Sequence, residues 1–250
     1  MKEFDYKAVG KEIGWNFSMV KYEVDEPSGY NYYNEVVKNI KDTTIMLDIG
    51  SGSAEKSARH YSLAKKVYLT DIEEEMLKKA KANVEKYYMN SPREKNKFAF
   101  KYVDCMGPFP YKDNTFDLVV SRHCGASMHE VYRVLKDSGK YLSEDYACDD
   151  CQELKEMFGR GQDYGDDPLY KAVTQECVEA GFSSIKLFRF EEIEYYKTID
   201  DLKFLLHNTP ILGGFDEEKD SEILAKYIEK FSTPRGIRLN RKLYAYELIK

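Results

Sequence analysis

The sequence predicts an α/β fold with a mostly parallel sheet, and three observations carry the prediction. Strand-length apolar runs recur at 43–50, 65–71, 97–103, 116–122 and 140–146. Segments of helical periodicity separate most of them, and the first run ends in a Gly/Ser turn. Strands that alternate with helices fold as right-handed βαβ units on a parallel sheet. With 42% hydrophobic and 33% charged residues, the 250-residue chain can build one sizeable core with appendages, which excludes disordered, collagen-like and coiled-coil classes.

Residues 1–40 are dense in aromatics and hold the only tryptophan, Trp15. They read as an N-terminal helical cap, with 30–40 a helix leading into the first strand. TTIMLDIG (43–50) is a buried strand entering a tight loop. A helix is expected over 55–62, a second strand over 65–71, and a long helix over 73–89, with apolar residues at 76, 77, 80 and 84. Its N-terminal acids suit the helix macrodipole. A third strand ends at Asp104, and the turn YKDNT leads into a fourth, FDLVVSR. The helix HEVYRVLK stops at DSG, and KYLSEDY is the fifth strand. Residues 149–170 are polar and Gly/Asp-rich around a short helix at 151–158. A helix over 168–182 has Gly181 as its stop, and a long strand follows over 183–196. Thr198 and Asp201 form a variant capping box for a helix to Asn208, and Pro210 lies beyond its end. A second helix covers 216–231, and 240–250 alternates as a final strand. Two helices in 199–231 thus form a lid-like insertion before the last strand, within a main domain over 41–250.

Several function classes are disfavoured. Lys and Arg number 38 against 44 Asp and Glu, a net charge of −6. Bulk nucleic-acid binding needs a basic footprint, so a small-molecule partner is expected instead. No apolar run approaches the roughly 20 residues a bilayer requires. The start has no apolar signal core, and five irregularly spaced cysteines fit reduced thiols, so a cytoplasmic location is expected. Cys148-Asp-Asp-Cys151 lacks a matching second half, so no metal site is expected.

The chemistry concentrates in LDIGSGSAE, residues 47–55. Gly50 and Gly52, flanking Ser51, let the backbone turn sharply and let a ligand approach its amides. A dinucleotide fingerprint would want Gly or Ala where Glu55 stands, because a carboxylate there repels phosphates. A sulfonium cofactor without phosphates suits Asp48 and Glu55. Asp71, ending the second strand beside Ile72, is placed to accept ribose hydroxyls. Asp104 can accept an adenine amino group, with Cys105 beside it, and Ser121 ends the fourth strand at the same crevice.

Through Asp48-Ile-Gly50-Ser-Gly52-Ser-Ala54, Asp71, Asp104 and the strand FDLVV, the chain resembles the class I S-adenosylmethionine-dependent methyltransferases, type 11-like. HEVYRVLKDSGKYL resembles the family's R-V-L-K-P-G-G segment. The resemblance covers residues 40–190. It implies a Rossmann-like, seven-stranded sheet with an antiparallel last strand, and S-adenosyl-L-methionine as cofactor. Ala54 replaces the family's third glycine, and Asp137-Ser138-Gly139 replaces Pro-Gly-Gly. Methyl transfer needs alignment, desolvation and, for a weak nucleophile, removal of a proton. His123 is the candidate general base, and Arg122 the partner for a substrate carboxylate or phosphate. Trp15 and Tyr22 are candidate substrate contacts folding over from the N-terminal segment. Because the chain lacks Asn/Asp-Pro-Pro-Tyr after the fourth strand, nucleobase and glutamine-amide acceptors are disfavoured. The expected reaction is methylation of an O or N atom of a small molecule. An RNA methyltransferase and a non-catalytic cofactor-binding protein are the alternatives.

Overall fold

Met46, Leu47 and Ile49 are each at most 1% exposed. Their strand has partners on both edges and helices over both faces, so it reads as a continuous apolar run rather than an alternating one. The computed structural model describes residues 4–25, 30–162 and 168–250. In chain order the elements are α1 (Tyr6–Glu12), β1 (Tyr22–Val24), α2 (Tyr32–Lys38), β2 (Ile45–Ile49), a 3₁₀ turn (Ser57–His60), β3 (Lys66–Asp71), α3 (Glu74–Tyr87), α4 (Pro92–Lys95) and β4 (Phe98–Tyr102). Then come β5 (Phe116–Arg122), α5 (Met128–Val134), β6 (Leu135–Tyr146), α6 (Gln152–Phe158), α7 (Pro168–Ala180) and β7 (Ser184–Tyr196). The chain ends with α8 (Ile199–Asn208), a 3₁₀ turn (Pro210–Leu212), α9 (Ser221–Phe231), β8 (Ser232–Thr233) and β9 (Gly236–Ile249).

The strands form one sheet in the order β1-β7-β9-β6-β5-β2-β3-β4, with β8 paired to β9. Strands β2 to β6 pair in parallel, and β9 runs antiparallel to both β6 and β7. This is the mostly parallel, Rossmann-like sheet that the sequence predicts, with its last long strand reversed. The chain steps outward from β2 through β3 to β4, then returns to the other side of β2 at β5. A crevice opens at such a switch point, outside the carboxyl ends of the strands.

Two apolar clusters hold the layers together. On one face, Val36, Ala58, Ala80 and Val84 pack against Met46, Val67, Leu69 and Val120. On the other, Val131, Val134 and Cys177 pack against Leu47, Ile49, Phe116 and Val119. A third cluster lies where β7 and β9 run on past their neighbours. There Leu154 and Phe158 of α6, Leu202, Leu205 and Leu206 of α8, and Leu224, Tyr227 and Phe231 of α9 cover Tyr196, Ile237 and Leu239. The capping box that opens α8 is formed: Thr198 Oγ1 accepts from Asp201 N at 3.1 Å, and Asp201 Oδ2 accepts from Thr198 N at 3.1 Å.

Differences from the sequence reading are local. The helix expected over 55–62 shrinks to the 3₁₀ turn Ser57–His60, which has no side-chain cap and follows Ala54 in a left-handed conformation. Strands β1 and β8, three and two residues long, carry no readable period. The aromatic N-terminal segment is divided among three places. Helix α1 packs on α3, where Lys79 Nζ donates to Gly10 O at 3.2 Å. Strand β1 pairs with the edge strand β7, and Tyr32, Val36 and Ile40 enter the main core. Of the polar stretch 149–170, residues 163–167 lie outside the described residues.

Candidate active site

Gly50 and Gly52 both have left-handed backbones, with φ of +62° and +55°. Their surroundings differ. A Cβ added at Gly50 would lie 2.6 Å from Cys124 Cβ and closer still to its sulfur, whereas one added at Gly52 would meet nothing within 4 Å. Gly50 is therefore glycine because the protein packs there, and Gly52 faces open space at the strand ends. The loop is tied to β3: Ser51 N donates to Thr70 O at 2.8 Å and Gly52 N to Asp71 Oδ2 at 2.9 Å. Asp71 Oδ1 accepts from Glu73 N at 2.9 Å. Each Asp71 oxygen keeps a second lone pair for a hydroxyl. Burial raises the Asp71 pKa, opposed by the Glu73 and Gly52 amides. Beside it, Ile72 offers an exposed apolar side chain. Ser51 Oγ is buried with no hydrogen-bond partner among the described residues. Asp48 lies beneath the loop, where burial pushes its carboxyl up to about 7 against the Tyr61 hydrogen bond.

At the end of β4, Asp104 is exposed and its Oδ1 accepts from Met106 N at 2.9 Å, closing a turn. The half-buried Cys105 thiol is held down to about 7 by the Cys124 thiol beside it, which outweighs burial. Cys124 is pushed up in return. Iodoacetamide at pH 7 is therefore expected to modify Cys105 ahead of Cys124, Cys151 and Cys177, whose thiols are raised. Peptide mapping across pH should give a Cys105 midpoint near 7; a midpoint at the ordinary thiol value of about 8.5 would contradict the pairing.

The end of β5 carries the remaining candidates. Ser121 Oγ is buried and 2.7 Å from Tyr141 OH. Arg122 Nε donates to Glu144 Oε1 at 2.7 Å, and the guanidinium lies 5.7 Å from the Tyr33 ring centroid. His123 has φ +56° and stacks on Tyr146 at 4.3 Å with an interplanar angle of 6°. Both ring nitrogens are buried, and neither has a hydrogen-bond partner among the described residues. Burial, then Arg122, Arg241 and Lys56, lower the His123 pKa well below 6.5, so the ring is neutral at pH 7. Tyr22 stacks on Tyr196 at 5.5 Å, within the electrostatic reach of Arg122. Trp15 is elsewhere, beside Gly10 and Met76 in the packing of α1 on α3.

A polar layer around these residues is not singled out by the sequence reading. On one sheet face, Val120, Leu142, Phe190 and Leu243 belong to the main cluster, while Tyr196 and Leu239 belong to the cluster under α8 and α9. Between them, at two-residue steps, come Arg122, Glu144, Glu192, Glu194 and Arg241. Arg122 is paired in register with Glu144, and Glu192 with Arg241. The buried Arg241 donates to Asp150 Oδ1 and Oδ2 at 3.0 and 3.1 Å and to Glu194 Oε2 at 3.0 Å. A signal was available: in FEEIEYY, Glu192 and Glu194 share a face with Phe190 and Tyr196, and charges on the inward face of a strand call for a reason.

A family model described as a methyltransferase domain matches residues 40–204, well over half of the chain. The chain belongs to this methyltransferase family. It has the Rossmann-like fold of the class I S-adenosylmethionine-dependent enzymes, and S-adenosyl-L-methionine is its cofactor. Among solved structures, it is similar to a putative methyltransferase from Bacillus halodurans at 19% identity and a TM-score of 0.58, over 87% of this chain and 96% of that one. An S-adenosylmethionine-dependent methyltransferase from Aquifex aeolicus matches at 15% identity and TM-score 0.51, over 99% and 100%. Phosphoethanolamine N-methyltransferase 2 from Haemonchus contortus, solved with S-adenosyl-L-methionine, matches at 17% identity and TM-score 0.54, over 99% of this chain but 60% of that one. At these identities the likeness is one of fold. Comparison with curated proteins gives no match.

The geometry of the methyltransferase fits its cofactor. Open space at Gly52 leaves room against the loop backbone, and Asp71 retains the acceptor capacity that a ribose diol needs. Asp48, Gly50, Ser51, Gly52, Asp71 and Ile72 are contiguous at the ends of β2 and β3. Asp104, Cys105 and Ser121 continue along the ends of β4 and β5. Among the described residues no helix is long and apolar enough to cross a membrane.

Proposed function

We propose that this methyltransferase transfers the methyl group of S-adenosyl-L-methionine to an oxygen or nitrogen of a small-molecule acceptor. The observation that supports this reading most is His123, a neutral imidazole beside the glycine loop whose two buried nitrogens make no hydrogen bond among the described residues, Asp145 Oδ1 lying 3.9 Å from Nδ1. When bound, the cofactor supplies an electrophilic methyl on a sulfonium, which an acceptor lone pair takes in line. His123 receives the acceptor's proton on its free ring nitrogen, and the Tyr146 stack holds the ring in place. Asp71 and the loop amides hold the nucleoside end, and Arg122 and Tyr22 line the acceptor side. In this reading 199–231 act as a lid over the strand ends, and of the 1–40 cap only the part bearing Tyr22 serves the acceptor side. The net charge of −6 disfavours a nucleic-acid acceptor. Five free thiols suit a reducing compartment, which supports the cytoplasm.

The test begins with calorimetric titration of S-adenosylhomocysteine and continues with its release across small-molecule pools and total RNA. Release with a small-molecule pool is the expected result. Release with RNA alone would favour an RNA acceptor, and tight binding without any release would favour a non-catalytic role.

A further inference from the structure

Resting on that reading, we infer that the acceptor carries an anionic group, a carboxylate or a phosphate, received by Arg122, Lys56 and Arg59. These side chains come from two parts of the chain brought to one place. Arg122 lies over the Tyr33 ring, and His60 stacks on the same ring at 4.6 Å. His60 closes the short segment 56–60 that also bears Lys56 and Arg59. The β5 end and the glycine-loop turn therefore meet across Tyr33.

Part of the cationic hydrogen-bonding capacity there is unspent. Arg122 spends Nε on Glu144, while its two terminal nitrogens have no partner among the described residues. Lys56 and Arg59 have neither an ion pair nor a hydrogen bond among the described residues. Burial and then Arg122 lower the Lys56 pKa, and Arg59 adds to them against Glu55 and Glu194; burial and Arg59 lower that of His60. His123, next to Arg122, feels Arg122, Arg241 and Lys56 together. Like charges gathered in one place repel one another, and an anion entering among them lowers that cost. Of the acids nearby, Glu55 is an exposed neighbour of Lys56, and Asp145 Oδ1 lies 3.9 Å from His123 Nδ1. Glu144 is taken by Arg122, and Glu194 by Arg241 and Tyr196. The Glu192 pKa is raised by burial and then by Glu144 and Glu194, against Arg122 and Arg241. Guanidinium N–H groups with a nearby ammonium are the donors that carboxylates and phosphates take best. The anion would sit beside His123, which puts the rest of the acceptor within reach of the neutral imidazole.

The cofactor has a carboxylate of its own, so the experiment separates the two. Protein saturated with S-adenosylhomocysteine is titrated with inorganic phosphate and, separately, with malonate, at constant ionic strength held with chloride. Saturable binding of at least one probe is expected, and which one binds tells a phosphate site from a carboxylate site. Arg59→Gln and the Lys56→Gln/Arg59→Gln pair, both at exposed positions, should weaken the binding about threefold and at least tenfold. Circular dichroism checks their fold. No saturable binding to the wild type, or equal binding in the double variant, would overturn the inference. Anion binding that disappears once S-adenosylhomocysteine is bound would overturn it too, by assigning these cations to the cofactor. Failure of the cofactor reading is seen separately, in the titration of S-adenosylhomocysteine itself.

Discussion

Gly52→Ala is expected to lower affinity for S-adenosylhomocysteine by roughly 10- to 100-fold while leaving the protein folded. The added methyl meets nothing within 4 Å in the protein, so it intrudes only on the ligand. Overpacking of that kind costs about 1–3 kcal/mol. The fold loses only the left-handed penalty at φ +55°, about 1–2 kcal/mol, or a few degrees in Tm. Gly50→Ala should behave differently. Its methyl collides with Cys124, so strain and overpacking add and Tm should fall on the order of 10 °C. Removing the Cys124 side chain in the same molecule should recover much of that loss, and a double-mutant cycle measures how much. Wild-type affinity in Gly52→Ala would remove the cofactor from this loop.

The same two glycines show what a sequence discloses. Both are visible in GSGS because a strand that stops at consecutive small residues has one common use. Their separate reasons are not visible, because Cys124 reaches Gly50 from a loop after β5. The long strands are legible because each carries its own period or its own unbroken apolar run. Strand β1 is not, because its three residues are held by their register with Tyr196, Tyr195 and Glu194 and by the ion pairs of Glu23 with Lys197 and Arg235, all distant in the chain. Asp71 is legible from its place at a strand end. The Arg122–Glu144 pair is not, since it depends on β6 lying beside β5 with those two residues in register. Local signals survive in the string of residues, and the charged layer arises only when four strands are laid side by side.

His123→Ala is expected to lower kcat by roughly 100-fold with little change in cofactor affinity, the usual scale for losing a positioned proton acceptor. The ring lies at the acceptor side of the site, so S-adenosylhomocysteine binding reports a separate set of contacts. The pH dependence gives the sign. A general base works in its deprotonated form, and burial with Arg122, Arg241 and Lys56 holds His123 below 6.5. Wild-type kcat/KM should therefore be flat through neutrality and fall only as pH drops below 6.5, and the His123 variant should lose that acidic limb. An anion beside the ring offsets the neighbouring cations, so the limb in kcat, which reports the substrate complex, should lie higher than the limb in kcat/KM. His123→Gln separates proton transfer from positioning: an amide donates a hydrogen bond but takes no proton. Recovery of most of the rate by glutamine would make His123 a positioning residue, and a limb that stays in place in His123→Ala would assign the titration to another group.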